Sequence, residues 1–281
     1  MISTTAKADV KAQVEAWKRA GRSIGLVPTM GYLHEGHRSL IERAAAENDH
    51  AVVSVFVNPT QFAPGEDLQS YPRDIDADAA LCRDAGAALL FHPAPEEMYA
   101  PDFCTFVDMD AVSKRLCGAS RPTHFRGVCT VVAKLMNLAR ADRAYFGQKD
   151  AQQLAVVRRM VRDLDMNVDV VGCPIVREPD GLAKSSRNTY LSPDQRAAAV
   201  VLSRAIEQGR RLVDAGETDA KRVLGVMRAA IEEQPLARID YLEAVSWDSI
   251  EPVETLEGPT LVAMAVFIGS TRLIDNFIIE R

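Results

Sequence analysis

Residues 23–37 read SIGLVPTMGYLHEGH and residues 51–62 read AVVSVFVNPTQF; these two stretches decide the fold class. In the first, residues 23–28 form a short apolar strand, a loop carrying Gly31 follows, and residues 35–47 have a helical pattern. In the second, residues 51–57 are almost continuously apolar, as expected of a strand covered on both faces. Strand, turn, helix and covered strand in succession are the pattern of a parallel α/β sheet.

The same alternation extends on both sides. A helix over 5–20 ends at Gly21, and residues 73–85 and 88–91 read as a helix and a strand. Val128, Val131, Val132, Leu135 and Ala139 fall on one helical face, as do Leu154, Val157, Val161 and Leu164. Short strands are expected at 144–146 and 168–171. Beyond Arg177 the character changes. Ser192, Pro193 and Gln195 supply an N-cap, a first-turn proline and a capping-box partner for one long helix, with Gly216 as its stop. A further helix (218–233) and two β-rich runs (238–247 and 260–267) follow. The expected architecture is a Rossmann-like parallel sheet with helices on both faces over 1–176. A smaller C-terminal α+β domain, read as a lid, covers 177–281.

Composition narrows the class. With 281 residues the chain can bury one large core or two modest ones. No apolar run approaches the roughly 18 residues of a membrane span, and Met1–Lys7 lacks the basic and apolar segments of a signal peptide. A cytoplasmic protein without a membrane partner is expected. The five cysteines are an odd number and form no CxxC pair, which reads as buried thiols in a reducing compartment. A formal net charge of −6 gives no general attraction for nucleic acid. An anionic ligand would need a locally basic or hydrogen-donating pocket.

Four segments could supply that pocket. The first runs from Pro28 to His37, where a strand ends and a helix begins. Helix N-termini attract phosphate, and two imidazoles three residues apart can donate to phosphate oxygens as charge develops. A tight turn with incidental histidines and a zinc pair are the competing readings. No third zinc ligand is evident, because His50, His92 and His124 lie in unrelated contexts. The second segment, Asn58-Pro59-Thr60-Gln61-Phe62, follows the apolar strand at the sheet edge where ligands bind. The third, Gly147-Gln148-Lys149-Asp150, offers a cation and an acid that could equally be an N-cap. In the fourth, Lys184 and Arg187 bracket Ser185 and Ser186 as a phosphate clamp or a solvated basic loop. No P-loop and no GxGxxG fingerprint is present.

The pair of histidines with the later Lys-Ser-Ser-Arg resembles the HxGH class I nucleotidylyltransferase superfamily. PTMGYLHEGH, FVNPTQF, YPRD, RPTHFRGV, FGQKDAQQ and SSRNTYLS, in this order, resemble the pantoate–β-alanine ligases within it, over essentially the whole chain. The resemblance implies an ATP-dependent ligase. It would join pantoate to β-alanine through a pantoyl adenylate, use Mg²⁺, and act as a homodimer. It assigns His37, His34 and Lys149 to catalysis. Met30, Gly31, His34, His37, Gly147, Gln148, Lys149, Asp150, Val176, Lys184, Ser185, Ser186 and Arg187 would contact ATP. Gln61 and Gln153 would hold pantoate, with Gln61 also near β-alanine, and Asp78 would help to hold magnesium. Three positions depart from the family pattern. Lys184 replaces a usual methionine or leucine, and Cys117 and Thr123 stand where glutamate and glycine are frequent. The rival readings are an HxGH nucleotidyltransferase that keeps the nucleotide on its product, a tRNA synthetase, and a silent nucleotide-binding regulator. The acidic balance disfavours the synthetase.

Overall fold

Six parallel strands make the sheet that the apolar runs require: β1 (Ile2–Thr4), β2 (Ile24–Thr29), β3 (His50–Val55), β4 (Leu89–Phe91), β5 (Arg143–Gly147) and β6 (Asp169–Cys173). Their spatial order is β1-β4-β3-β2-β5-β6 in this computed structural model, which describes residues 1–281. The connecting helices are α1 (Lys7–Arg19), α2 (Glu35–Glu47), α3 (Ile75–Asp84), the single turns α4 (Pro95–Met98) and α5 (Cys117–Ser120), α6 (His124–Ala139) and α7 (Ala151–Asp163). From β2 the chain steps outward through β3 to β4, then returns to the other side of β2 for β5 and β6. The reversal falls between β2 and β5, and the C-terminal ends of the strands at such a point are the usual ligand position in open parallel sheets.

The strands form because their side chains are buried on both faces. Val27, Val53, Leu90 and Tyr145 pack with Leu40, Ile41 and Ala44 of α2. The predicted face of α6 is buried throughout. That of α7 is not: Leu164 lies past the helix end and is 53% exposed, while Val156 and Met160 are buried instead. Helix α7 is covered on more of its circumference than a single stripe, so periodicity alone misassigned its last turn.

Two acids fasten the start of β2. Asp49 accepts from the backbone N–H and the hydroxyl of Ser23, both at 2.8 Å, and Asp142 accepts from the Ile24 N–H and from Lys18 Nζ, both at 2.6 Å. The backbone and hydroxyl of Ser23, with Arg22, hold the Asp49 carboxyl down at about 2.

The chain divides into two compact units. The first comprises 1–110, 121–148 and 156–174; the second comprises 175–281 with two earlier segments, 111–120 and 149–155. In the second unit α8 (Pro193–Ala199), α9 (Val201–Asp214) and α10 (Ala220–Glu232) pack on an antiparallel sheet of β7 (Ala237–Ser246), β8 (Thr260–Ile268) and β9 (Thr271–Ile279). The capping box at Ser192 and Gln195 forms as the sequence predicts. The expected long helix is interrupted at Val200, whose carbonyl accepts the Ser203 hydroxyl at 2.9 Å, a back-bond that bends helices. Strand β9 has no counterpart in the sequence reading. Asp275 and Asn276, both buried, break its apolar pattern, and Asp275 (1% exposed) is held there by Arg177 at 2.7 and 2.9 Å. No helix is long and apolar enough to cross a membrane.

This packing has measurable consequences at two positions. Asp49→Asn lowers the melting temperature at pH 7. The carboxylate's stabilisation is complete above its unfolded pKa of about 3.9 and lost as pH falls through about 2, so the deficit against wild type narrows from pH 7 to pH 3. A constant deficit in paired melts would contradict it. Gly127 on α6 packs directly on a backbone turn, where an added Cβ would stand 2.4 Å from Thr60 O and 2.6 Å from Gln61 N. Gly127→Ala should cost about 1–3 kcal/mol, seen as a melting temperature several degrees lower.

Candidate active site

Strand β2 delivers the chain through Met30, Gly31, Tyr32 and Leu33 to α2, and the start of α2 is closed by its own histidines. His34, the N-cap, accepts the Gly36 N–H on Nδ1 at 3.1 Å, and His37 accepts the His34 N–H on its Nδ1 at 3.2 Å. The rings lie 4.1 Å apart between centroids, tilted by 44°. A neutral imidazole that accepts at Nδ1 carries its proton on Nε2, so this network assigns both rings as Nε2–H donors. Gly36 makes room for the His34 ring: a Cβ there would meet it at 2.8 Å. Its smallness therefore serves the cap. The N-terminal end of α2 adds a partial positive charge.

The loop ahead of the cap rests on Asp78, in the first turn of α3. Its Oδ2 accepts the Tyr32 N–H at 2.9 Å and its Oδ1 the Leu33 N–H at 2.7 Å. The residue is 2% exposed. Burial pushes its carboxyl above the ordinary range, and the two N–H bonds only partly offset that. A residue expected to help hold magnesium thus has both oxygens engaged by backbone. No cluster of three or more His, Cys, Asp or Glu side chains forms a metal site anywhere in the molecule.

The neighbouring strand, β3, leads into the turn that carries Gln61 (7% exposed). Gln61 Nε2 donates to Met30 Sδ at 3.0 Å, which joins the tip of β2 to this turn. Gln61 Oε1 accepts from Asn58 Nδ2 at 3.1 Å. Asn58 is 0% exposed and is held in turn by Tyr99 at 2.8 Å, by Thr60 and by the Gly127 carbonyl. The Gln61 carbonyl takes His124 Nδ1 at 2.9 Å and Arg121 Nη2 at 3.3 Å. A carbonyl only accepts and a guanidinium only donates, so His124 is neutral, donating from Nδ1 and accepting from Arg121 Nη1 at Nε2 (3.2 Å). Arg121 is itself gripped by both oxygens of Glu66 at 2.6 Å. Burial raises the Glu66 carboxyl, but Arg121 outweighs it and holds the group below its usual range.

His124 is thus part of the Gln61 turn and not the unrelated histidine that its sequence position suggested. The signal, RPTHFRGV, was present, but 63 residues separate His124 from Gln61. Asn58 and Glu66 carried no chemical signature that distinguishes them from ordinary turn residues.

Gly147, in the first unit, is the last residue of β5, which pairs with β2, and Gln148 follows it. In the second unit Lys149 Nζ lies 3.9 Å from Asp150 Oδ2, and Asn276 donates to the Lys149 carbonyl at 3.0 Å. Gln153 is partly buried on α7. Its neighbour Gln152 is a structural clamp, accepting from the Cys117 N–H and donating to the carbonyls of Val112 and Arg115. The Val176 carbonyl accepts the Lys184 N–H at 2.9 Å, and Lys184 Nζ stands 3.4 Å from Glu178. Residues 185–190 are a capped 3-10 turn and not an open loop: the Ser185 hydroxyl accepts the Arg187 N–H, Ser186 is buried, and Asn188 donates to the Ala183 carbonyl. Cys117 has its sulfur 3.3 Å from the Tyr241 hydroxyl and 3.7 Å from Arg272.

A family model described as pantoate-beta-alanine ligase matches residues 2–278. The pantothenate synthetase of Ruminiclostridium cellulolyticum is 58% identical over 96% of this chain and 95% of its own. That of Clostridium novyi is 57% identical over 97% and 96%. Among solved structures, the pantothenate synthetase of Thermus thermophilus superposes with a TM-score of 0.93 at 46% identity, covering 99% of both chains. The pantoate-beta-alanine ligase of Francisella tularensis, complexed with beta-gamma ATP and beta-alanine, has a TM-score of 0.82 at 31% identity over 99% of this chain and 97% of its own. A match along the whole length, in sequence and in fold alike, makes the chain a member of the pantoate–β-alanine ligase family.

Proposed function

We propose that this chain condenses pantoate with β-alanine at the expense of ATP, with release of AMP and pyrophosphate. The observation that carries this reading is the contact between Met30 and Gln61, which sets the ATP signature beside the residue assigned to pantoate within one unit. In the first step a pantoate carboxylate oxygen attacks the α-phosphorus, the bond to the bridging oxygen breaks, and pyrophosphate leaves. In the second, the neutral amine of β-alanine attacks the acyl carbon, AMP departs with the electron pair of the C–O bond, and the nitrogen loses a proton to give the amide. Adenylation is needed because a free carboxylate would have to expel oxide.

The first step demands in-line placement and neutralised phosphate charge more than covalent help. His34 and His37 are assigned to donate from Nε2 to the phosphates. Met30, Gly31, Gly147, Gln148, Lys149, Asp150, Val176, Lys184, Ser185, Ser186 and Arg187 are assigned to the remainder of ATP. The Lys184–Glu178 pair reduces the net charge Lys184 brings, so its backbone bond to Val176 is the firmer part of that assignment. Gln61 and Gln153 are suited to orient pantoate because a neutral amide leaves the carboxylate nucleophilic, whereas an arginine would stabilise it in the ground state. Magnesium bound with ATP would neutralise phosphate charge as the displacement proceeds. The reading includes a cytoplasmic homodimer.

AMP production with ATP, Mg²⁺, pantoate and β-alanine, each omitted in turn, tests the reading. Pantoate-dependent ATP–pyrophosphate exchange without β-alanine is expected, and AMP release only when β-alanine is added. Exchange without pantoate, or a product that retains the nucleotide, points to a nucleotidyltransferase instead. His37→Ala removes a transition-state donor and one half of the reciprocal cap, and should slow adenylation on the order of 10²-fold or more; near-wild-type turnover removes His37 from the mechanism.

A further inference from the structure

The turn before the histidine cap is strained where a side chain is present. Gly31 has φ +89 and the next residue, Tyr32, has φ +53, a region that non-glycine residues avoid. Two successive left-handed residues turn consecutive N–H groups toward one point, and the Asp78 carboxylate occupies that point with one oxygen for each. It is buried, lies in the first turn of α3 where the helix end favours an anion, and contacts the loop so closely that a Cβ on Gly31 would stand 3.0 Å from Oδ2. A carboxylate accepts at both oxygens; an amide would turn an N–H₂ toward one of the two N–H groups.

From this juxtaposition we infer that Asp78 is a positioning residue for adenylation: it holds residues 31–33 in the shape that sets the His34–His37 cap against the phosphates of ATP. This rests on the proposed function above. Asp78 does not touch substrate in this assignment; each of its oxygens accepts one backbone N–H of the loop. Its effect passes through the loop to the phosphate donors, and a loop displaced by about 1 Å is enough to cost on the order of 10²-fold in a step that depends on in-line geometry.

The test separates the two half-reactions. Asp78→Asn should lower the rate of pantoate-dependent ATP–pyrophosphate exchange about 10- to 100-fold. The second half-reaction, started with synthetic pantoyl adenylate and β-alanine, should stay within about twofold of wild type, because it makes no use of the triphosphate donors. Asp78→Ser, which removes the charge and leaves one acceptor, is the second variant should the amide variant not fold; the same split is expected. Exchange at the wild-type rate overturns the inference. So does an equal loss in both half-reactions, which marks a general structural role, and so does an exchange defect repaired by raising Mg²⁺, which marks a metal role. Absence of exchange in the wild-type chain would instead defeat the proposed function.

Discussion

A helix start leaves backbone N–H groups without partners, and in this chain the start of α2 is closed by two imidazoles that accept those bonds reciprocally. The chemistry assigned to the site depends on that closure. Because His34 and His37 accept at Nδ1, their protons lie on Nε2, and the bonds that stabilise the helix also select the donor tautomer. The HxGH spacing is the spacing of a capping box, so one sequence feature meets a folding requirement and a chemical one.

The same economy governs the next strand tip. Gln61 can be buried because each of its polar groups has a partner: Asn58 and Met30 for the side chain, His124 and Arg121 for the carbonyl. Asn58 in turn is buried only because Tyr99, Thr60 and Gly127 complete its bonds. Networks of this kind are stiff, since any displaced member leaves a buried group unpaired, which costs roughly 1–3 kcal/mol. The absence of a side chain at Gly127 lets α6 lie directly on this turn. Rigidity at Gln61 is therefore a consequence of packing on α6 as much as of local turn chemistry.

Local signals were legible in the sequence and long-range ones were not. Helix α2 occupies 35–47 as its pattern predicts, and β2, β3 and β5 lie within a residue or two of their apolar runs. The capping box at Ser192 is as strong in the structure as in the sequence. What escaped was set by partners far along the chain. Strand β9 was hidden because Asp275 is polar in sequence and buried in fact, which Arg177, 98 residues away, makes possible. His124 looked isolated because its partner is a backbone carbonyl, and a carbonyl leaves no trace in residue type. Asp78 sits in an acid-rich stretch, and only its burial against the Tyr32 and Leu33 N–H groups separates it from its solvated neighbours.

An acidic chain that binds a triphosphate cannot rely on bulk charge, and within each unit prominent cations are balanced by acids: Arg121 by Glu66, Lys184 by Glu178, Arg177 by Asp275. Beside these pairs, the dipole of α2, the two imidazoles and the glycine-lined strand tips offer oriented groups of small net charge. Such groups act at hydrogen-bond range and lose little to ionic screening, whereas long-range steering by exposed cations fades beyond a Debye length of about 8 Å at physiological salt. They also leave the carboxylate nucleophile unquenched. A site assembled this way discriminates by position rather than by field, which is why the shape of the loop held by Asp78 matters more to it than the sign of the surrounding surface.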